Sequence, residues 1–327
     1  MKLLIQSAAS LSRRPGCLLH HRAGRPRVEF GSKPAQHLGA GTPLQHNSSY
    51  SSAAAQAGEE KPTGQKRSVI VTGASRGIGR AVAVRLARDG YDVCVNDIPA
   101  QAAACEEVAA EIRSLGRQAH VGIADVSSRD QVRELVQSSV QNLGPLSTMI
   151  ANAGILQVKP LLELTEADFA RVFAVNVYGV HNCFAEAGAQ MIRQGDRGPA
   201  RPGKLLAASS IAGFRPFALL PHYCVSKWAV RGLTQAYAAE LGPHHITANS
   251  YAPGIISTPM WEQIDAGISR RLGSTPGDAM AGEVRGTALR RAGAPDDVVG
   301  LVSFLASPAS DFITGQTQIV DGGIVFT

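Results

Sequence analysis

From Arg67 onward, short apolar runs alternate with longer stretches in which apolar residues recur every three or four positions. The runs predict strands over 68–72, 92–96, 118–123, 147–151, 203–208, 245–250 and 316–320. The periodic stretches predict helices over 77–89, 101–115, 129–143, 166–193, 222–242 and 295–306, while 255–290 shows no clear period and reads as irregular. Parallel strands need a crossover between them, usually a helix, so this alternation implies a parallel sheet covered on both faces. No repeat of solenoid length occurs, and no linker interrupts 67–327.

With right-handed crossovers, the expected architecture is an α/β fold with a doubly wound, seven-stranded parallel sheet of Rossmann type, in a single domain. Residues 1–66 differ in composition. The start mixes Leu and Ile with Arg13, Arg14, Arg22, Arg25 and Arg27 and holds one acid, Glu29, up to residue 58. Leu4, Ala8 and Leu11 fall at helical spacing. Basic, serine-rich and acid-poor, this is the composition of a mitochondrial transit peptide, followed over 31–66 by a Ser, Gly, Ala, Gln and Pro linker. A disordered basic tail without an address, and hence a cytoplasmic protein, is the alternative.

Charge follows the same boundary. The seven basic residues before position 59, set against Glu29, account for the whole net charge of +6, and the rest of the chain is balanced. A neutral body offers no electrostatic footprint for nucleic acid. No stretch approaches the roughly 18 apolar residues a membrane span needs. Cys17, Cys94, Cys105, Cys183 and Cys224 form an odd set without C-x-x-C spacing and suit a reducing compartment. Cys94 and Cys224 read as small buried hydrophobes. His120, His181, His222, His244 and His245 lack ligand spacing, so no metal is expected.

The first strand runs directly into Gly73-Ala-Ser75-Arg76-Gly77-Ile78-Gly79 and then a helix. A glycine turn at that place lets backbone amides approach a pyrophosphate, which marks a dinucleotide site. The second strand ends in Asp97, eighteen residues beyond Gly79, where a carboxylate can accept from the adenosine ribose hydroxyls and would repel a 2′-phosphate. This favours NAD(H). Arg76 pulls toward NADP(H), because a guanidinium can pair a 2′-phosphate. After the third strand, Asp125 and its neighbour Val126 stand where the adenine would lie, although Asp125 would equally serve as a cap for helix 129–143.

Tyr223 and Lys227 stand four apart in a helical stretch, so both project from one face. An ammonium beside a phenol stabilises phenolate and is expected to lower the tyrosine pKa from about 10 toward working pH. Together with Thr72-Gly73-x-x-x-Gly77-x-Gly79, Asn152-Ala153-Gly154, Asn176, Ser210 and Pro253-Gly254, this order of motifs resembles the short-chain dehydrogenase/reductase family over 67–327. The resemblance implies a catalytic set of Asn176, Ser210, Tyr223 and Lys227. Ser210 would hold the substrate carbonyl, Lys227 would also bind the nicotinamide ribose, and Asn176 would order a water linked to Lys227. It further implies that Asn152 stabilises the central strand beside the adenosine, and that Ile256 and Thr258 anchor the carboxamide. Ala151 departs from the family's more usual asparagine. The family also implies a homotetramer, with helices 166–193 and 222–242 against symmetry mates.

Within that family, the stretches around Ser226–Gln235, Ala252–Asp265 and Thr314–Phe326 resemble diacetyl/acetoin reductases, also called 2,3-butanediol dehydrogenases. The resemblance implies a segment after Gly254 that folds over a small ketone, with Met260 and Trp261 excluding water and Ile211 and Phe217 lining the pocket. Ile211 and Phe217 replace the Gln and Asn that bacterial acetoin reductases often carry, which makes the pocket more apolar and less selective against bulky ketones. Two other readings stand beside this one. A 3-oxoacyl-(acyl carrier protein) reductase shares the catalytic set, and a non-catalytic dinucleotide-binding protein would share the fold.

Overall fold

The computed structural model describes residues 67–327, and the leader and linker read from the sequence lie outside the described residues. Seven strands form one parallel sheet: β1 (Arg67–Thr72), β2 (Tyr91–Asp97), β3 (Ala119–Ile123), β4 (Leu146–Ala151), β5 (Gly203–Ala208), β6 (Ile246–Pro253) and β7 (Thr317–Val320). Their spatial order is β3-β2-β1-β4-β5-β6-β7, and every neighbouring pair is parallel. β1 and β4 adjoin at the centre although β2 and β3 intervene in the chain. At such a reversal of strand order the crossovers leave on opposite faces and open a crevice at the carboxyl edge.

The helices are α1 (Gly77–Arg88), α2 (Ala102–Ser114), α3 (Arg129–Leu143), α4 (Glu166–Phe173), α5 (Gly179–Gln194), α6 (Pro221–Leu241), α7 (Pro259–Leu272), α8 (Asp278–Arg285) and α9 (Pro295–Ala306). One apolar cluster lies between the sheet and α1, α2 and α9. The other lies between the opposite face and α3, α5 and α6. The central strands are buried on both faces, which is why they read as continuous apolar runs rather than alternating ones. Cys94, Cys105, Cys183 and Cys224 are all buried and free.

Two stretches differ from the sequence reading. The helix expected over 166–193 is interrupted by a π-helical turn over Ala174–Tyr178, with Asn176 at its centre. Apolar periodicity continues through the turn and so conceals it. The stretch 255–290, read as irregular, holds α7, which presents only a narrow buried stripe, and α8, which has no buried residue.

Candidate active site

The residues singled out in the sequence converge on the carboxyl edge of the sheet. At the end of β1, Gly73 and Gly77 take left-handed φ values of +63° and +56°, a conformation that favours glycine. At Gly79 a Cβ would fall 2.1 Å from the Gly73 carbonyl oxygen, so no other residue fits without moving the turn. The Ala74 amide donates to the Asn96 carbonyl at 2.9 Å and ties the turn to β2. The result is a cradle without side chains at the start of α1. It fits the pyrophosphate of a dinucleotide.

Asp97, at the tip of β2, leans onto this cradle. Its Oδ2 accepts from the Ser75 hydroxyl at 2.6 Å and the Ser75 amide at 3.3 Å, and its Oδ1 accepts from the Ile98 amide at 2.9 Å. Arg76 is exposed and makes no ion pair among the described residues. Beyond β3, Asp125 accepts from the Ser127 amide at 2.9 Å and the Ser127 hydroxyl at 2.8 Å. The helix-cap role considered for Asp125 belongs instead to Ser128, whose hydroxyl accepts from the Gln131 amide. Val126 is buried, and its carbonyl accepts from Asn182.

Asn152 is a brace. Its amide nitrogen donates to the carbonyls of Thr72 at 2.9 Å and Gly73 at 3.2 Å, and its Oδ1 accepts from the Tyr251 hydroxyl at 3.0 Å. It thereby locks the ends of β1, β4 and β6 together. Past β6, Ile256 is buried. Pro253 is buried too, and a Cβ on Gly254 would run into Asp321 at 2.6 Å. Thr258, at the start of α7, lies against the turn: a Cβ on Gly77 would be 3.5 Å from its methyl group.

The candidate acid/base pair sits on the first turns of α6. Tyr223 and Lys227 are 8% and 3% exposed. The Lys227 ammonium is 5.5 Å from the centre of the Tyr223 ring and donates to the Ala208 carbonyl at 2.8 Å. Ser210, just beyond β5, caps the short turn Ile211–Gly213 by accepting from the Ala212 amide at 3.1 Å. Burial pushes the Tyr223 phenol up to about 12, and a hydrogen bond with the Ser210 side chain opposes that rise. Burial also pulls the Lys227 ammonium down to about 8. The sequence expectation of a phenol lowered by Lys227 is therefore corrected, because in the protein alone desolvation outweighs any pull from the ammonium.

Asn176 is wholly buried. Its Oδ1 accepts from the Ile155 amide at 2.9 Å, and its Nδ2 donates to the Ile155 carbonyl at 2.9 Å and the Ser226 hydroxyl at 3.0 Å. A Cβ on Gly154 would lie 3.4 Å from Asn176 Oδ1 and 3.5 Å from Lys227 Nζ, so the two side chains converge on one stretch of backbone. The amide's donors are committed to protein groups, which makes it a positioning group for that backbone.

Around Tyr223 lies an apolar cluster of Leu156, Val158, Phe217, Cys224, Trp261 and Ile264, with neighbours including Leu220 and Ile268. Phe217 and Trp261 were singled out from the sequence and join it. Ile211 and Met260 do not: Ile211 is buried in the turn after Ser210, and Met260 is half-buried on α7. Leu156 and Val158 were missed because they follow the Asn152-Ala-Gly motif in a loop without period. The contact that carries α7 onto them is a close one, since a Cβ on Gly267 would meet Val158 at 2.7 Å.

Comparison with known proteins agrees with this geometry. Residues 67–269 match the short chain dehydrogenase family model. The chain is 40% identical over 257 residues to an L-2,3-butanediol dehydrogenase of Corynebacterium glutamicum, covering 79% of this chain and 98% of that one. It is 39% identical over 261 residues to an (S)-acetoin-forming diacetyl reductase of Staphylococcus epidermidis, covering 80% and 99%. Among solved structures, an acetoin dehydrogenase of Salmonella typhimurium superposes with a TM-score of 0.68 at 28% identity, covering 80% of this chain and 96% of that one. The chain belongs to the short-chain dehydrogenase/reductase family and is an oxidoreductase of that kind.

Proposed function

We propose that this protein interconverts a small ketone and its secondary alcohol, of the diacetyl, acetoin and 2,3-butanediol class, using NAD(H) in preference to NADP(H). The observation that carries the reading is the buried pair Tyr223 and Lys227, one helical turn apart on α6, with the Ser210 hydroxyl near the phenol. When bound across the Gly73–Gly79 cradle, a nicotinamide dinucleotide supplies the hydride. The residues of this chain supply the rest.

Carbonyl reduction places growing negative charge on oxygen, and preplaced donors stabilise it most where water is excluded. The hydroxyls of Ser210 and Tyr223 are two such donors. A phenol held near 12 is protonated throughout the neutral range, as a group that hands H⁺ to a carbonyl oxygen must be. Lys227, beside the ring, compensates the phenolate left behind. In alcohol oxidation the same tyrosine accepts the proton, and Ser210 holds the oxygen. Leu156, Val158, Phe217 and Trp261 surround the phenol with apolar side chains and keep water from the reacting oxygen.

Asp97 supports NAD(H), because a 2′-phosphate beside its carboxylate meets like charge. The names of the relatives support the substrate class. Exposed apolar side chains at Tyr178, Val225 and Trp228, and at Phe304, Phe312 and Phe326, support burial against further copies, as a homotetramer requires. The composition of residues 1–66 supports delivery to the mitochondrial matrix.

The test is a panel of diacetyl, acetoin, bulkier ketones and carrier-bound 3-oxoacyl substrates, run with NADH and NADPH in parallel on the wild type and Tyr223→Phe. The expected result is turnover of the free small ketones and a loss of roughly 10²–10⁴ in kcat for the variant with dinucleotide binding retained. Wild-type rates in Tyr223→Phe, or turnover confined to carrier-bound substrates, would overturn the reading.

A further inference from the structure

The end of the sheet opposite Tyr223 carries a second, small and open cleft, in which charged groups stand among apolar surface. It lies where β1, β4 and β5 begin. Arg67, Arg197, Arg201 and Lys204 line it, with Asp311 beside them. These cations are not a loose surface patch. Lys204 is 4% exposed, and the side chain of Arg197 is 4% exposed.

Their carboxylate partners are too few. Lys204 Nζ lies 2.7 Å from Asp311. Arg197 and Arg201 share a single carboxylate, Asp196, at 3.2 and 3.8 Å. Arg67 stacks over Tyr91, 4.4 Å from the ring centre, and donates to the Asp89 backbone carbonyl at 2.6 Å, with no carboxylate in ion-pair range among the described residues. The lining therefore holds an excess of two positive charges. The Arg197 Nε–H is buried and finds no acceptor among the described residues, because Asp196, though near, stands off its axis. A buried N–H without an acceptor costs about 1–3 kcal/mol, so native proteins rarely leave one. Burial also disfavours the charged forms of Arg197 and Lys204.

Each of these deficits is met by one kind of occupant: a compact anion with several acceptor oxygens and about two negative charges. We propose that the cleft is a binding site for a tetrahedral oxyanion of the phosphate class, separate from the dinucleotide cradle at the other end of the sheet. Arg201 and Arg67 reach the anion from the solvent side, and Arg197 and Lys204 from beneath. Binding at this place ties the starts of β1 and β5 to the loop after α5 and stabilises the fold without touching the reaction.

The test is thermal unfolding of the full chain in inorganic phosphate against chloride at matched ionic strength, with saturating NADH in every sample so that the cradle is filled. A phosphate monoester, glycerol phosphate, forms a third arm and shows whether the free ion or an esterified one binds better. The expected result is a saturable rise in the midpoint, roughly 5–10 °C at a hundredfold excess over Kd. It is lost in Arg201→Gln and in Arg67→Gln, whose ketone reduction stays at the wild-type rate. An equal rise in all three proteins would overturn the proposal and mark a general salt effect. No rise in the wild type would overturn it too, leaving the four cations as complements to the carboxyl ends of the helices that finish beside them. Isothermal titration with phosphate reads the same site without relying on the variants' stability.

Discussion

Asp97→Asn is the sharpest perturbation of the cofactor reading, because it removes the charge and keeps the shape. In the structure the carboxylate accepts from the Ser75 hydroxyl at 2.6 Å and the Ile98 amide at 2.9 Å, and an asparagine keeps an acceptor for the first of these. A carboxylate within hydrogen-bond reach of a ribose hydroxyl would stand about 4 Å from a 2′-phosphate. At that distance two unit charges near a protein surface interact by about 4 kcal/mol, and partial exposure of Asp97 reduces this to roughly 1–3 kcal/mol. Removing the repulsion raises kcat/KM for NADPH by about 10–100-fold. NADH loses about tenfold or less, since a charge-assisted hydrogen bond becomes a neutral one. The assay is initial-rate reduction of one ketone with each dinucleotide. Arg76, exposed and without an ion-pair partner among the described residues, is expected to supply part of the gain, so adding Arg76→Ala removes it. An unchanged NADPH/NADH ratio in Asp97→Asn, or a wild type that already prefers NADPH, would refute the argument.

Two further outcomes follow from buried side chains. Asn176→Ala removes three hydrogen bonds at a wholly buried position and leaves the Ile155 backbone unpaired, so it lowers stability by about 2–5 kcal/mol, measured by urea denaturation. A loss below about 0.5 kcal/mol would show that the π-helical turn does not depend on it. His222 is fully buried, rests edge-on against Phe169 with ring centres 5.9 Å apart, and has no partner for either ring nitrogen among the described residues. Burial lowers its pKa below the ordinary 6.5, with Asp168 opposing and Arg171 and Lys159 assisting. The unfolded chain therefore binds the proton first as pH falls. The contribution of a neutral His222 is complete above about 6.5 and declines from there down through its folded value, by at most about 1.4 kcal/mol per pH unit. His222→Phe removes that decline from a pH series of denaturation midpoints, and an unaltered slope would contradict it.

The sheet was legible because its central strands are buried on both faces and the helices that cover it on one, so the two periods stand apart in the text. The dinucleotide cradle was legible for a related reason. Backbone can approach a ligand only where glycine permits it, and such a demand leaves a residue type at a fixed place. Asn176 was found through its motif, but its action was not, because a π-helical turn leaves apolar spacing intact while turning an amide onto Ile155. Leu156 and Val158 were invisible since loop residues obey no period. The packing of α7 on Val158 depends on Gly267, one of 34 glycines and unmarked by its neighbours.

The ionisation of Tyr223 shows why a motif does not carry its own energetics. Four-residue spacing establishes that phenol and ammonium share a face of α6, and the structure agrees. It says nothing of how dry that face is. With both groups nearly inaccessible, desolvation raises one and lowers the other, so the pair drifts toward its neutral forms and away from phenolate beside ammonium. A protonated phenol suits reduction directly. Alcohol oxidation starts instead from the phenolate, the form that burial disfavours. The burial that dries this face thus sets the ionisation of the pair, which the spacing of the motif alone does not reveal.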